Sequence, residues 1–208
     1  MGRKIITISR QTGSGGHEIA ELLAEKLNIP LHDRNVVEEA MKELELENVE
    51  DVDEKLVVDY YAKFAKGFHA IFGKGKLYHM MPQTEEEPTI SEKMFEVQSR
   101  IITRLAEAGP CVIVGRCADY VLKDRDDVLS VFITAEEEQR VQRMMERREL
   151  THERAVNAVE FADRDRAKYY QAYAKRKWGV PESYDITVSS TKLGIEGVVD
   201  LIAELYED

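Results

Sequence analysis

Residues 4–27 read KIITISRQTGSGGHEIAELLAEKL, and this stretch decides the fold. The apolar run from Ile5 to Ile8 is typical of a buried strand. A polar, glycine-rich turn covers residues 9–16, and apolar residues spaced three and four apart then predict a helix that begins at His17. Glycines allow the tight turn, and successive amide N–H groups at the start of a helix form a cradle for phosphate. The stretch therefore predicts a phosphate-binding loop.

The loop departs from the common pattern G-x-x-x-x-G-K-[ST]. Aligned on the shared glycines, the first glycine falls at Arg10, the lysine at Gly16, and the hydroxyl near His17 or Glu18. The backbone of the cradle is thus kept without its usual side chains. The alternative is a glycine-rich turn that binds nothing. The candidate phosphate-binding residues of the loop are Arg10, Gln11, Thr12, Gly13, Ser14, Gly15, Gly16, His17 and Glu18.

Composition narrows the class of protein. The 208 residues suffice for one α/β domain with a helical insertion, and the net charge is −11. Such a field repels nucleic acid and anionic membranes, so an anionic substrate needs a local basic cluster. No apolar run approaches the roughly 20 residues of a membrane span, and no cationic leader precedes the first strand. The two cysteines, Cys111 and Cys117, do not indicate a disulfide framework or a zinc site. We expect a cytoplasmic protein.

Strands and helices alternate along the rest of the chain. A short second strand is predicted over 28–32. Further apolar strands are predicted over 111–114, 128–133 and 184–188, and helices over 34–46, 89–108, 135–148, 151–177 and 193–206. Uninterrupted apolar strands between helices predict a parallel sheet covered on both faces. Ligands of such sheets bind beyond the carboxyl ends of the strands, where the loop, Asp33, Gly115-Arg116 and residues 189–191 all fall.

Residues 47–88 are the least informative part of the sequence. A helix is predicted over 52–65, and residues 67–88 have the glycine and proline content of a loop. Lys74 and Lys76 in that loop are interpreted as solvated basic residues, with a phosphate contact as the alternative.

Four segments resemble the cytidylate kinase-like proteins, a branch of the P-loop nucleoside monophosphate kinases. Residues 5–16 (IITISRQTGSGG) resemble the loop of that branch. Residues 95–122, with Gln98, Gly109-Pro110 and VIVGRCADYVL, resemble its central helix and third strand. Asp163-Arg164-Asp165-Arg166 is similar to its D-R-D-R lid segment, and residues 184–199 (YDITVSSTKLGIEGVV) to its closing strand and helix.

The resemblance implies a three-layer P-loop kinase fold with a five-stranded parallel sheet. It implies one domain with a core of 1–34, 109–144 and 178–208, a helical acceptor-binding insertion of about 35–108, and a helical lid of about 145–177. It also implies phosphoryl transfer from ATP, with Mg²⁺, to a small acceptor, of which CMP is the namesake. Three residues depart from the pattern of true cytidylate kinases: Gly16 replaces the loop lysine, Cys117 an aspartate, and Phe161 the arginine that opens the lid motif.

Phosphoryl transfer requires positive charge on the oxygens that gain negative charge. We expect Arg10, assisted by Arg164 and Arg166, to replace the missing lysine, because a guanidinium is always charged and its fork suits phosphate. The alternative for Arg10 is a salt bridge that holds the loop. Arg10 and Arg164 are therefore the candidate catalytic residues. Only one arginine of the D-R-D-R segment is expected to point inward.

The acceptor side has its own candidates: Asp33, Arg34, Arg116 and Asp165. Arg116 follows a strand directly and is assigned to an acceptor phosphate, with a pair to Asp119 or Asp33 as the alternative. Asp33 is interpreted either as a helix cap or as a carboxylate that orients magnesium or the acceptor. The resemblance favours Arg164 for phosphate and Asp165 for acceptor or lid support, and a self-paired surface charge run is the alternative.

Two questions stay open from the sequence. Glu18 at the start of the helix is a candidate for magnesium in place of the usual hydroxyl, although a carboxylate there repels phosphate; the metal ligand is not assigned. The protein is interpreted as a small-molecule kinase, with a non-catalytic nucleotide or anion sensor as the alternative. A homodimer through residues 47–108 is a further expectation.

Overall fold

The structure is a computed structural model that describes residues 4–44 and 90–207. Its strands are β1 (Ile5–Arg10), β2 (Leu31–His32), β3 (Cys111–Val114), β4 (Val128–Thr134) and β5 (Ile186–Ser189). Its helices are α1 (Gly16–Leu27), α2 (Arg34–Glu43), α3 (Ile90–Ala108), α4 (Ala118–Val121), α5 (Glu137–Arg148), α6 (His152–Ala174) and α7 (Ser190–Glu207), with a 3₁₀ turn at Pro181–Ser183.

The five strands form one parallel sheet in the order β2-β3-β1-β4-β5. Side chains alternate between its two faces, so neighbours in β1 belong to different cores. Ile6 and Ile8 pack in the core that α1 and α7 cover. Ile5 packs with residues of α2 and α3 on the other face. The predicted α/β architecture with a doubly covered, five-stranded parallel sheet is confirmed.

Some element boundaries differ from the predicted ones. The second strand is only two residues long, Leu31–His32. The last helix begins at Ser190, where a polar link was expected, and Gly194 interrupts it with a φ of 73°. Ser190 is the first residue of this helix, and its buried hydroxyl donates to the Ser14 carbonyl, a contact with a distant segment that the local periodicity does not indicate.

The predictions for residues 47–88, including the helix over 52–65 and the roles of Lys74 and Lys76, lie outside the described residues. The division into core, insertion and lid stays a prediction. Within residues 4–44 and 90–207, no helix combines the length and apolarity that crossing a bilayer requires.

Candidate functional site

The predicted phosphate loop connects β1 to α1 at the carboxyl edge of the sheet. Its backbone takes left-handed angles at Gly13 (φ 76°) and Gly15 (φ 81°), which favour glycine. The Ser14 hydroxyl donates to the Gln11 carbonyl at 2.8 Å, and the Ser190 hydroxyl donates to the Ser14 carbonyl at 2.6 Å. Ser14 is fully buried, so its side chain stabilises the turn of the loop and does not face the solvent.

Arg10 occupies the space that a side chain at position 16 would need. A Cβ built on Gly16 would lie 2.5 Å from Cβ and 2.8 Å from Cγ of Arg10. Real carbon atoms do not approach this closely, so the lysine of the common loop cannot be accommodated while Arg10 keeps this conformation. The Arg10 guanidinium continues over Gly115, where an added Cβ would collide with its Nη1. The absence of side chains at Gly16 and Gly115 thus leaves the space that the Arg10 side chain occupies.

Asp33 faces this guanidinium. Its Oδ2 lies 3.9 Å from Nη2 of Arg10 and 3.0 Å from Nδ1 of His17. It stands at the N-cap position of α2, but its side chain makes no capping hydrogen bond. The interpretation of Asp33 as a helix cap is therefore wrong: the carboxylate turns to the loop. The pairing with Arg10 is the contact that the alternative interpretation of Arg10 expected.

The contact between Asp33 and His17 shifts the pKa of both side chains. Burial by itself raises the pKa of the Asp33 carboxyl. The hydrogen bond from His17 and the positive charges of Arg10 and Arg116 outweigh burial, so this pKa lies below its ordinary value of 3.8. The same hydrogen bond raises the pKa of His17 above 6.5, against the opposing effect of burial. Asp33 is consequently ionised throughout the physiological range.

Helix α5 supplies cations that sequence reasoning missed. Arg143 donates to the Gly13 carbonyl at 2.9 Å, and Arg147 pairs with Glu18. Arg148 lines the same cleft. Residues 140, 143, 144 and 147 have the spacing of one helix face, so the signal was present in a helix interpreted only as strongly charged. Glu18, the suggested magnesium ligand, is instead an ion-pair partner.

Helix α6 contacts the loop through Asp163 and Arg166. The Thr12 N–H donates to Oδ1 of Asp163 at 2.7 Å, and Arg166 donates to the Thr12 hydroxyl at 2.6 Å. The buried Arg140 of α5 donates to the other oxygen of Asp163 and, at 3.3 Å, to the Thr12 carbonyl. Positions three apart share a helix face, so these two residues of the D-R-D-R segment point inward together.

The other two residues of the segment do not reach the cleft. Arg164 is exposed, and its guanidinium lies 5.2 Å from the ring centre of Phe161. Asp165 is also absent from the cleft lining. One arginine points inward, as expected, but it is Arg166. The placement of Arg164 and Asp165 gives no support to the roles that the resemblance suggested for them.

Asp119, one of the suggested partners of Arg116, is buried elsewhere. Its Oδ2 accepts a hydrogen bond from the Tyr170 hydroxyl at 2.5 Å, and its Oδ1 has no hydrogen-bond partner within the described part of the chain. Burial raises the pKa of this carboxyl to about 6. Asp119 therefore ties α4 to α6, whereas Arg116 lines the cleft near Asp33. Both cysteines, Cys111 and Cys117, are buried and free.

These side chains enclose a cleft of about 220 Å³. Seven of its described lining residues are arginines, and Asp33 is the one carboxylate among them. Gln11 also lines it, and its side-chain oxygen accepts hydrogen bonds at the end of β4, from the Thr134 hydroxyl and the Ala135 N–H. The lining comprises Arg10, Gln11, Thr12, Gly13, Gly15, Gly16, His17, Asp33, Arg34, Val37, Arg116, Arg143, Met144, Arg147, Arg148 and Arg166.

The described residues contain no group of three or more His, Cys, Asp or Glu side chains arranged to hold a metal ion. The cleft is instead suited to an anion, because the glycine-rich loop and the guanidinium-bearing side chains line it together. A divalent ion bound there would take its ligands from the anion and from water.

Comparisons with solved structures agree with this architecture. An uncharacterized protein from Eubacterium ventriosum is 26% identical, with a TM-score of 0.72 and 99% of each chain covered. The shikimate kinase from Bacteroides thetaiotaomicron is 14% identical, with a TM-score of 0.52 and 99% of each chain covered. The shikimate kinase from Acinetobacter baumannii, solved with shikimate, is 14% identical, with a TM-score of 0.52, 98% of this chain and 92% of that one covered. The last two show the shared P-loop kinase fold.

No curated protein sequence matches the chain. Residues 5–192, which include the loop, the sheet and both arginine-bearing helices, match the cytidylate kinase-like family. The match covers most of the chain and agrees with the resemblance found in its motifs. The chain is a member of the cytidylate kinase-like family.

Proposed function

We propose that this protein is an ATP-dependent phosphotransferase that acts on a small acceptor. The observation that carries the proposal is the concentration of seven arginines around a glycine-rich loop in a chain of net charge −11. A cluster that opposes the overall charge so strongly costs self-repulsion, and a bound polyanion would compensate it. A triphosphate is the polyanion that the loop geometry suits.

The donor would bind with its phosphates against the loop amides. Arg10 crosses the position of the missing lysine and ends in the cleft, so it is the candidate for the charge on the terminal phosphates. Arg143 of α5 and Arg166 of α6 would add further positive charge beside the loop. Fixed cations that meet charge as it develops are the main catalytic resource of phosphoryl transfer.

Mg²⁺ would accompany the donor. We assign it no protein ligand, because Glu18 is paired with Arg147 and the Thr12 hydroxyl accepts from Arg166. Mg²⁺ keeps several waters and binds largely through substrate phosphates, which such a cleft permits.

The test combines direct binding with turnover. ATP affinity is measured by calorimetry, and ADP release is followed across nucleoside monophosphates and small hydroxylated metabolites. Binding with turnover on at least one acceptor supports the proposal. Binding without turnover on any of them overturns it in favour of the sensor.

Arg10→Ala is expected to lower kcat about 100-fold or more, because it removes a charge aimed at the transferring phosphate. The matched control is Arg100→Ala on α3, where an exposed arginine pairs with Glu43 outside the cleft. The control is expected to stay within about twofold of the wild type. An Arg10→Ala variant that turns over at the wild-type rate would contradict the role of Arg10.

A further inference from the structure

Among the described residues that line the cleft, one carboxylate, that of Asp33, lies beside the arginines. The Asp33 side chain is only 14% exposed, yet it contributes no capping hydrogen bond to α2. It is held from one side by Arg10 and from another by His17. A carboxylate that lines a ligand cleft and does not cap its own helix is a candidate for contact with the substrate.

We propose that the acceptor is a small anion bearing a hydroxyl group, and that Asp33 orients this hydroxyl and accepts its proton. The inference rests on the proposed phosphotransfer and adds the chemical class of the acceptor to it. It sets the protein apart from kinases of nucleoside monophosphates, in which a phosphate oxygen is the nucleophile.

The charge of Asp33 argues against a phosphate as the attacking group. A monophosphate carries between one and two negative charges at neutral pH, so its attacking oxygen is anionic and has little need of a base. A carboxylate in contact with that oxygen would repel it. An alcohol has the opposite requirement, because it is neutral and must lose its proton as the new bond to phosphorus forms.

The surrounding arginines account for the anionic part of the acceptor. Arg34 and Arg116 line the cleft on the same side as Asp33, at the start of α2 and after β3. Guanidinium forks suit carboxylate and phosphate groups alike. They would bind the acceptor's anionic group while Asp33 meets its hydroxyl.

The acceptor oxygen attacks the terminal phosphorus of the nucleoside triphosphate and forms an O–P bond. The bond from that phosphorus to the bridging oxygen breaks, and the diphosphate leaves with the electron pair. The hydroxyl proton passes to the Asp33 carboxylate. A carboxylate with a low pKa takes this proton late, as the oxygen becomes acidic, which suits a loose transition state.

His17 is a positioning residue in this scheme. Its Nδ1 lies 3.0 Å from Asp33, and its Nε2 lies 3.3 Å from Glu21 one turn along α1. A histidine between two carboxylates is stabilised in its protonated form, and it then donates to both. His17 would fix which face of the Asp33 carboxylate is offered to the acceptor.

The experiment compares two acceptor panels with the wild-type protein and ATP. One contains CMP, UMP and AMP. The other contains glycerate, gluconate and quinate, which are carboxylates with free hydroxyls and have no phosphate oxygen that could attack instead. We expect turnover on at least one member of the second panel to be at least tenfold faster than on any nucleoside monophosphate of the first panel. Preference for a nucleoside monophosphate overturns the inference and leaves the proposed function standing. If no acceptor of either panel leads to ADP release, the inference is overturned. The broader acceptor screen then decides the proposed function.

Asp33→Asn tests the assigned role on the best acceptor found. We expect kcat to fall about 100-fold or more while the KM for ATP changes by less than about threefold. Full recovery at high Mg²⁺ would instead assign Asp33 to the metal and overturn the inference. Asp200→Asn, which removes an exposed carboxylate paired with Lys26, is the matched control.

His17→Ala separates positioning from folding. Its melting temperature should stay near that of the wild type, while kcat falls about tenfold and the limb of the pH profile that reports His17 disappears. Rescue by His17→Asn, which retains a donor near the Nδ1 position, is expected. An unchanged pH profile would contradict the positioning role.

Discussion

At the scale of single residues, Arg10 takes the place of the lysine that the common phosphate loop carries at position 16, where this chain has glycine. In the common loop, the residue at the position of Gly16 is a lysine. Here the aliphatic part of the Arg10 side chain, at the end of β1, fills the space that the lysine side chain would need. The glycine is therefore a consequence of the arginine. The pair delivers a cation to the cleft with the loop backbone preserved.

Gly16→Ala is expected to lower the free energy of unfolding by about 1–3 kcal/mol, because the added methyl collides with Cβ and Cγ of Arg10. Displacement of Arg10 should also weaken ATP binding, which calorimetry detects. The control is Gly197→Ala in α7, where the nearest atom is Leu193 Cβ at 3.4 Å. There we expect neutrality or a gain of up to about 1 kcal/mol, because alanine favours helix. A stable Gly16→Ala variant with wild-type ATP affinity would contradict this account.

Asp119 predicts a pH dependence of stability. Its pKa is about 6 in the folded protein against 3.8 unfolded, so folding favours its protonated form. Its contribution is fully present below pH 3.8 and is lost as the pH rises through about 6. Asp119→Asn cannot ionise, so its stability relative to the wild type should rise between these values, by at most about 3 kcal/mol.

Urea unfolding of both proteins across this range measures the difference. Asp127 provides a control of opposite sign, because its hydrogen bonds to Arg125 lower its pKa. Asp127→Asn should lose stability relative to the wild type as the pH rises through the titration of Asp127. A flat difference for Asp119→Asn would show that its carboxyl titrates normally.

At the scale of elements, α5 and α6 both contact the loop. Arg140 of α5 and Asp163 of α6 are both nearly buried, with 10% and 15% of their side chains exposed, and they converge on the backbone of Thr12. The loop thus receives its shape from two helices more than 100 residues away in sequence. Its position therefore depends on how these two helices pack.

Arg140→Met is expected to lower the free energy of unfolding by about 3 kcal/mol, because it leaves Asp163 without its buried partner. Asp163→Asn should cost less in that background than in the wild type. A double-mutant cycle should give a coupling of at least about 1 kcal/mol. The exposed pair Lys26–Asp200 is the reference, with a coupling below about 1 kcal/mol. Equal couplings for the two pairs would contradict a structural role for the Arg140–Asp163 pair.

At the scale of the whole molecule, charge is separated. The chain carries −11 overall, while seven arginines line one cleft. Field lines from clustered charge concentrate in a cleft, so an anionic ligand is attracted locally although the rest of the surface repels it. The distribution favours small anions, which enter the cleft without approaching the acidic surface.

Salt should therefore weaken the binding of ATP. We expect affinity to fall roughly tenfold as NaCl rises from about 0.05 to about 0.5 M, because ions screen the cleft. Inorganic tripolyphosphate should show a similar dependence, and neutral adenosine should show almost none. Calorimetric titrations at several salt concentrations provide the comparison. Salt-independent ATP binding would mean that the arginines do not contact the phosphates.

Periodicity carried most of the fold. Residues 111–114 are apolar throughout, and residues 5–8 are apolar or β-branched. Such short runs between helices are typical of strands buried on both faces, so the sheet was predictable. The predicted element boundaries were wrong where a polar residue with a distant contact begins the element, as Ser190 does in the last helix. The cleft was predictable in part, because the ends of parallel strands meet at one edge whatever the helices do.

By itself, the sequence determined the parallel sheet, the glycine loop and the placement of Arg10, Asp33 and Arg116 at one edge. Local patterning specifies strands and turns, and topology brings their ends together. Only the tertiary structure decided that Arg10 fills the space above Gly16, that Asp33 turns to His17, and that Arg166 rather than Arg164 reaches the loop. Those outcomes depend on which face of a helix meets a distant segment, and no local pattern contains that information.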